Sequence, residues 1–323
     1  MVNTLTICEC FARDGLQHEP VFVPTADKID IIDRISAVGF PRVEATSYSN
    51  PAKVPAFADA SAVLGGIGRA AGVHYKATCA NEKAVERALA DLDAGHGASE
   101  LSLLISATES HSRRNLASSR EEQWQRVERM AARAAGRARL VGVVSVAFGC
   151  PFEGRVDPGI VLDDIARFGA LGVSHVALAD TTGLAVPPSV RFLFAEALRR
   201  HPQVVPIAHF HDSRGTALAN CWAALEAGCT WFDCAIGGIG GHPAQIAYGG
   251  GYTGNAATED LVAMFEAAGV TTGLDLDKLM EVSRRCEALL GRELNSMVAR
   301  SGPGFAGRPD FVGRPGFIGR SED

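Results

Sequence analysis

Short apolar, β-branched runs recur along the chain, and after most of them comes a longer stretch whose apolar residues return every three or four positions. The runs are TLTICEC (4–10), RVEATS (42–47), VHYKATC (73–79), ELSLLIS (100–106), RLVGVVSVAF (139–148), HVALAD (175–180), VVPIAHF (204–210) and WFDCAI (231–236). Their length and near-continuous hydrophobicity suit strands buried on both faces. Helical periodicity fills 25–39, 81–95, 120–136, 157–172, 187–200 and 216–228, then 257–269 and 275–291. Thr25 is placed to cap the first helix and Gly39 to end it, and several others also close on glycine. Eight strands and eight helices in this order predict an α/β fold, a (β/α)8 TIM barrel over residues 1–290. A doubly wound open sheet is the alternative, but no G-x-G-x-x-G follows the first strand.

Residues 291–323 read as a C-terminal extension rich in Gly, Pro and Phe. GFAGRP, DFVGRP and GFIGRS form a tandem hexapeptide repeat with Phe305, Phe311 and Phe317 in register. Gly and Pro at this density exclude a regular helix. A free tail is the first expectation; an arm docking its phenylalanines on the barrel or a neighbouring subunit is the second.

A net charge of −6 with both signs interspersed argues against nucleic acid as a partner. No apolar run approaches the roughly 20 residues that span a bilayer, so no membrane partner is expected. MVNTLTICEC lacks a basic segment followed by an apolar stretch, so a cytoplasmic location is expected. The eight cysteines include no C-x-x-C pair and lie mostly in apolar company, which predicts buried reduced thiols and no zinc cluster. A homodimer is the expected assembly, as the commonest among soluble oligomers.

Candidate chemistry begins in ECFARDGLQHEP (9–20), where Arg13 and Asp14 directly follow the first strand. A solvated surface ion pair is the plain alternative, yet barrel enzymes carry their functional groups at strand C-termini. The seventh strand ends in AHFHDSRG, with His209 and His211 two apart and so on one face. Together with Asp14 they suit a divalent cation, and an oxygen-plus-imidazole set with open positions favours Mg2+ or Mn2+ over structural zinc. The stretch 237–261 holds eight glycines, His242 and Asn255, and reads as a lid or binding loop rather than a plain connector. SRRN (112–115) could meet phosphates or merely begin a solvated helix.

Taken together, RDGLQHE, VEATS, GCPFEG, HFHDSRGTALAN, GGIGGHP and TGNAATEDLV resemble the 3-hydroxy-3-methylglutaryl-CoA lyases, within the wider metal-dependent lyase and acyltransferase barrels. The resemblance runs from about Cys8 to about Glu281. It implies a divalent cation held by Asp14, His209, His211 and the amide oxygen of Asn255. It also implies an acyl-CoA substrate whose reacting group is surrounded by Arg13, Glu44 and Asp180, with Gln17 and Ser47 as further substrate-binding positions. The implied retro-aldol cleavage must remove a hydroxyl proton, break a carbon–carbon bond and stabilise a thioester enolate. A bound metal would lower the hydroxyl pKa, Arg13 would stabilise the enolate, and His209 or a carboxylate such as Asp180 would take the proton.

The chain departs from the family at the final protonation. The family places a cysteine in a G-G-C-P context; GGHP here puts His242 in its place, as the expected acid. Ala177 also stands where a serine is common. The expected activity is a carbon–carbon lyase acting on a 3-hydroxyacyl-CoA, with the hydroxymethylglutaryl ester as first substrate. Citramalyl-CoA or a larger branched analogue stays open. So does a Claisen-type acyltransferase of the isopropylmalate synthase kind, although the long regulatory C-terminal region of those enzymes is missing. A non-catalytic ligand-binding protein would have no need of Arg13, Asp14, Glu44, Asp180, both histidines and Asn255 together.

Overall fold

Each apolar run becomes one strand of a closed parallel barrel ordered β1 to β8. The strands are β1 Thr6–Glu9, β2 Arg42–Ser47, β3 His74–Cys79, β4 Glu100–Ser106, β5 Arg139–Ser145, β6 His175–Asp180, β7 Val205–Phe210 and β8 Trp231–Cys234. The structure is a computed structural model that describes residues 5–20, 22–241 and 254–304. Closure is made at β1, where Cys8 stands beside Arg42 of β2 and beside Asp233 of β8.

The helices are α1 Thr25–Val38, α2 Ala60–Gly66, α3 Glu82–Asp93, α4 Glu109–Leu116, α5 Arg120–Ala134, α6 Pro158–Ala170, α7 Pro187–Arg200, α8 Ala217–Glu226, α9 Thr258–Ala267, α10 Leu276–Leu290 and α11 Met297–Ser301. Three of these, α2, α4 and the five-residue α11, escape periodicity. In α2 the sequence ASAVLGG is too rich in Ala and Gly to show a polar face, and α4 is a short helix in which SRRN lies midway. Thr25 is not a cap: it is the first residue of α1, and its hydroxyl donates to Asp59 Oδ2 at 2.8 Å. Gly39 does end that helix, at φ +109°, a conformation that favours glycine.

Strand alternation sends one set of side chains to the helices and the other into the barrel. The outer set, Phe210 and Phe232 among them, packs with helix residues such as Phe168 and Phe194 in the main core. The inner set is divided. On the β5–β7 side Val141, Ala177 and Ile207 form a small apolar cluster. The other side is charged, with Arg42, Glu44, Lys76, Glu100 and Asp233 all buried. Arg42 Nε donates to Glu100 at 2.9 Å, Arg42 Nη1 to Asp233 at 3.4 Å and Arg139 Nη1 to Glu100 at 2.8 Å. Charges this deep are tolerable only when each has a partner.

Beyond α10 the chain stays fastened to the barrel. Leu294 is buried against Gly237, where a Cβ would stand 2.4 Å from it, and Asp260 accepts the Ser296 hydroxyl at 2.7 Å. The hexapeptide repeat lies outside the described residues. All eight cysteines are buried and unbridged. Among the described residues no helix is long and apolar enough to cross a membrane.

The seam between β1 and β8 is stitched by Glu9, which accepts N–H bonds from Phe11 at 2.8 Å and Ile236 at 2.6 Å. Burial pushes its carboxyl up to about 8, and that of Glu259, which holds the Gly237 N–H, up to about 7. In the unfolded chain both titrate near 4.3. The folded state therefore holds the extra protons, so this stabilisation is complete below about pH 4 and is lost as pH rises through about 7 to 8. Urea unfolding should give a lower stability at about pH 8.5 than at about pH 5.5, and Glu9→Gln should flatten that difference. An unchanged pH slope in Glu9→Gln would remove Glu9 as its source.

Candidate active site

After β1 the backbone makes one wide helical turn, Phe11–Gly15, in which the Gly15 N–H reaches back five residues to the Cys10 carbonyl at 3.1 Å. The turn places Arg13 and Asp14 over the barrel mouth. Arg13 Nε donates to Glu44 Oε1 at 2.8 Å, and its Nη1 donates to Asp14 Oδ1 at 2.7 Å and Gln17 Oε1 at 3.3 Å. The Arg13 and Asp14 side chains are only 12% and 9% exposed, so this is not the solvated surface pair that their adjacency allows. Glu44 also accepts the Thr78 hydroxyl at 2.7 Å. Burial alone would raise the Asp14 carboxyl, but Arg13 and then His211 hold it well below its usual range. Glu44 is likewise held down against burial, by Arg13 and Lys76. Both are carboxylates at neutral pH.

The two histidines project from the end of β7 with their Nε2 atoms 3.2 Å apart, and His211 Nε2 is 3.4 Å from Asp14 Oδ2. Asn255 arrives because the chain after β8 folds back beside β7, where Asn255 bridges His211 and the Ala256 N–H donates to Phe210 O at 3.0 Å. Two glycines permit that approach. A Cβ at Gly254 would lie 1.8 Å from the Gly238 carbonyl, and one at Gly240 would lie 2.5 Å from Asn255 Nδ2. Asn255 Nδ2 donates to Asp14 Oδ2 at 2.6 Å and Ile239 O at 2.9 Å, while its Oδ1 is buried without a donor among the described residues.

Ligand-capable atoms of Asp14, His209 and His211 all lie within 4.8 Å of one another, so they form a group able to hold a divalent cation. One carboxylate, two imidazoles and a buried amide oxygen that lacks a donor fit such an ion. A second grouping, Cys8, Cys10 and Asp233, is a poorer fit, because its one carboxylate is already paired with Lys76 at 3.1 Å and Arg42 at 3.4 Å.

These groups open onto a cavity of about 240 Å3 at the barrel mouth, lined by Arg13, Asp14, Gln17, Glu44, His209 and His211 among others. A larger cavity of about 390 Å3 lies alongside, between His18, Phe22, Ile239 and Leu290, and holds none of the metal-capable groups. On β6 and just beyond it, Ala177, Ala179 and Thr181 line the mouth cavity. Asp180 falls between them, so its side chain points away from the cavity. It accepts the Leu184 N–H at 2.8 Å and the Ala185 N–H at 3.0 Å, shaping the loop after β6. Ser47 also stands back from the cavity. The β2–β3 register slips between Glu44 and Thr46, and the Ser47 hydroxyl bonds to Ser49 at 2.8 Å and Thr78 O at 3.3 Å, so that Ser49 is the one lining the cavity. His242 lies outside the described residues; its neighbour Gly241 lines the cavity.

Lys76 and Asp233 are cavity residues that the sequence reading passes over. Lys76 Nζ is 3.1 Å from Asp233 Oδ2 and 3.6 Å from Glu44 Oε2, and Asp233 Oδ2 is 3.5 Å from His209 Nδ1. The available signal is the lysine interrupting VHYKATC, which shares its strand parity with Thr78.

The HMGL-like family matches residues 4–285 of the chain. A mitochondrial hydroxymethylglutaryl-CoA lyase of Rattus norvegicus is 39% identical over 297 residues, covering 91% of this chain and 88% of that one. A hydroxymethylglutaryl-CoA lyase of Bacillus subtilis is 38% identical over 294 residues, covering 90% and 95%. Among solved structures, an HMG-CoA lyase of Acinetobacter baumannii in complex with coenzyme A and 3-methylmalate superposes with a TM-score of 0.86 at 37% identity, covering 93% of this chain and 95% of that one. The B. subtilis HMG-CoA lyase structure gives 0.86 at 36% identity, covering 93% and 98%. With the match running through the whole barrel and its motifs gathered at one mouth, the chain belongs to the HMGL-like family.

Proposed function

We propose that the chain is a carbon–carbon lyase that uses Mg2+ or Mn2+ to split 3-hydroxy-3-methylglutaryl-CoA into acetyl-CoA and acetoacetate. The observation that carries this reading is the convergence of Asp14, His209, His211 and Asn255 beside an arginine with a free edge. Arg13 spends Nε and Nη1 on Glu44, Asp14 and Gln17, and its Nη2 has no acceptor among the described residues.

A cation bound there would supply the charge that lowers the pKa of the substrate hydroxyl and fixes its orientation. The chain's own residues account for the remaining steps. Glu44 lines the cavity, and its Oε2, 3.6 Å from Lys76 Nζ, takes no hydrogen bond among the described residues. Glu44 is the proposed acceptor for the hydroxyl proton, since Asp180 faces away from the cavity. As the carbon–carbon bond breaks, the thioester oxygen gains charge, and Arg13 Nη2 is the donor left to meet it. Three bonds already hold that guanidinium, so it reorganises little when the charge appears. Protonation of the enolate carbon completes acetyl-CoA, with His242 as the proposed acid.

The test is an assay of purified protein, with and without chelator, on hydroxymethylglutaryl-CoA, citramalyl-CoA and larger branched 3-hydroxyacyl-CoAs, reading acetyl-CoA and the keto product. Cleavage of the first, abolished by chelation and restored by Mg2+ or Mn2+, is expected. Metal-replete protein that releases no acetyl-CoA from any of them sinks the lyase reading, and activity that survives chelation sinks the cation.

A further inference from the structure

His209 and His211 are not equivalent ligands. His209 Nδ1 faces Asp233 Oδ2 at 3.5 Å, whereas His211 Nδ1 is buried and meets no partner among the described residues. Asp233 is itself held from two sides, by Lys76 Nζ on Oδ2 at 3.1 Å and by Arg42 Nη1 on Oδ1 at 3.4 Å. Arg42, Lys76 and Asp233 come from three different strands and are all buried. None of the three has a step in the reaction proposed above.

We propose that Asp233, fixed by Lys76 and Arg42, is a positioning residue that presets the metal-binding tautomer of His209. The inference rests on the cation site proposed above. A neutral imidazole has one N–H and one lone pair. An ionised carboxylate can only accept, so the nitrogen facing Asp233 carries the proton and His209 Nε2 is left as a lone pair. His209 Nε2, 3.2 Å from His211 Nε2, is thereby preset as a ligand.

Long-range 1H–15N NMR on histidine-labelled, cation-free protein reads both tautomers, with resonances assigned from His209→Gln and His211→Gln. His209 should show Nδ1–H before and after saturation with Mg2+. In Asp233→Asn, Mn2+ affinity measured by electron paramagnetic resonance should fall about 10–100-fold, the usual cost of removing such an orienting partner. Nε2–H at His209 in the cation-free wild type overturns the proposal, as does wild-type Mn2+ affinity in a folded Asp233→Asn. That variant strips Lys76 and Arg42 of a partner; should it fail to fold, the wild-type spectrum still decides. Wild-type protein that binds no Mn2+ while His209 remains Nδ1–H would remove the cation site and leave the Asp233 assignment standing.

Discussion

His211→Ala should give a folded barrel that no longer binds Mn2+ and whose lyase turnover has dropped about 10³-fold. A bound ion contributes several kcal/mol of transition-state charge stabilisation, and each ~1.4 kcal/mol is a factor of ten in rate. The fold should survive because His211 sits at the finished mouth of the barrel and its contacts are confined to the site. Its Nε2 meets only Asp14 and His209, and its Nδ1 meets no described partner. No backbone group is orphaned by the truncation, so its stability cost should stay within about 1–3 kcal/mol. Mn2+ titration, circular dichroism and a turnover assay on one preparation separate these effects. Wild-type turnover in His211→Ala would show that the group of Asp14, His209 and His211 has no part in the reaction.

Arg13→Gln should lower kcat by about 10² to 10³ while moving KM much less, the usual cost of losing one donor aimed at developing charge. The argument turns on Arg13 Nη2, the edge that Glu44, Asp14 and Gln17 leave open. An interaction made only as the enolate forms lowers kcat and kcat/KM together. A stability loss accompanies it, because Glu44 is 1% exposed and loses its 2.8 Å partner. Breaking a buried pair costs about 3–5 kcal/mol, so rates must be normalised to folded protein. A change confined to KM would make Arg13 an anchor for the bound substrate and no more.

Every strand of the barrel was legible, because a strand buried on both faces must be apolar along most of its length. The observed spans of β2, β4 and β6 coincide with the apolar runs. The pair at β7 was legible too, since i, i+2 spacing on a strand fixes a shared face. Asp180 stands back from the cavity for a reason the same rule supplies: Ala177 and Ala179 face inward, so the residue after them does not. Ser47 was harder to place, because the register slip at Glu44 to Thr46 depends on how β2 settles against β3. Lys76 and Asp233 stayed hidden because a charge in a core strand is tolerable only through partners distant in sequence. Their own separation is 157 residues. Pairing across a barrel is not a local property of the chain.

The site straddles the seam where the barrel closes, and that gives a bound ion a mechanical part. Asp14 and Asn255 touch at 2.6 Å although 241 residues separate them, and beneath them Thr6 pairs with Trp231. Joining segments so far apart carries a loop-closure entropy that local contacts never meet. A divalent ion held from both sides of the seam would add a link across the point where the barrel closes. It should favour the closed form by about 2.7 kcal/mol at a concentration 100 times its Kd. Slowed hydrogen exchange should then concentrate at the Phe11 and Ile236 amides, both bonded to Glu9 across the seam, while helices on the far side of the barrel exchange as before. Free divalent ion should thus set how well the seam resists local unfolding as well as whether the enzyme turns over.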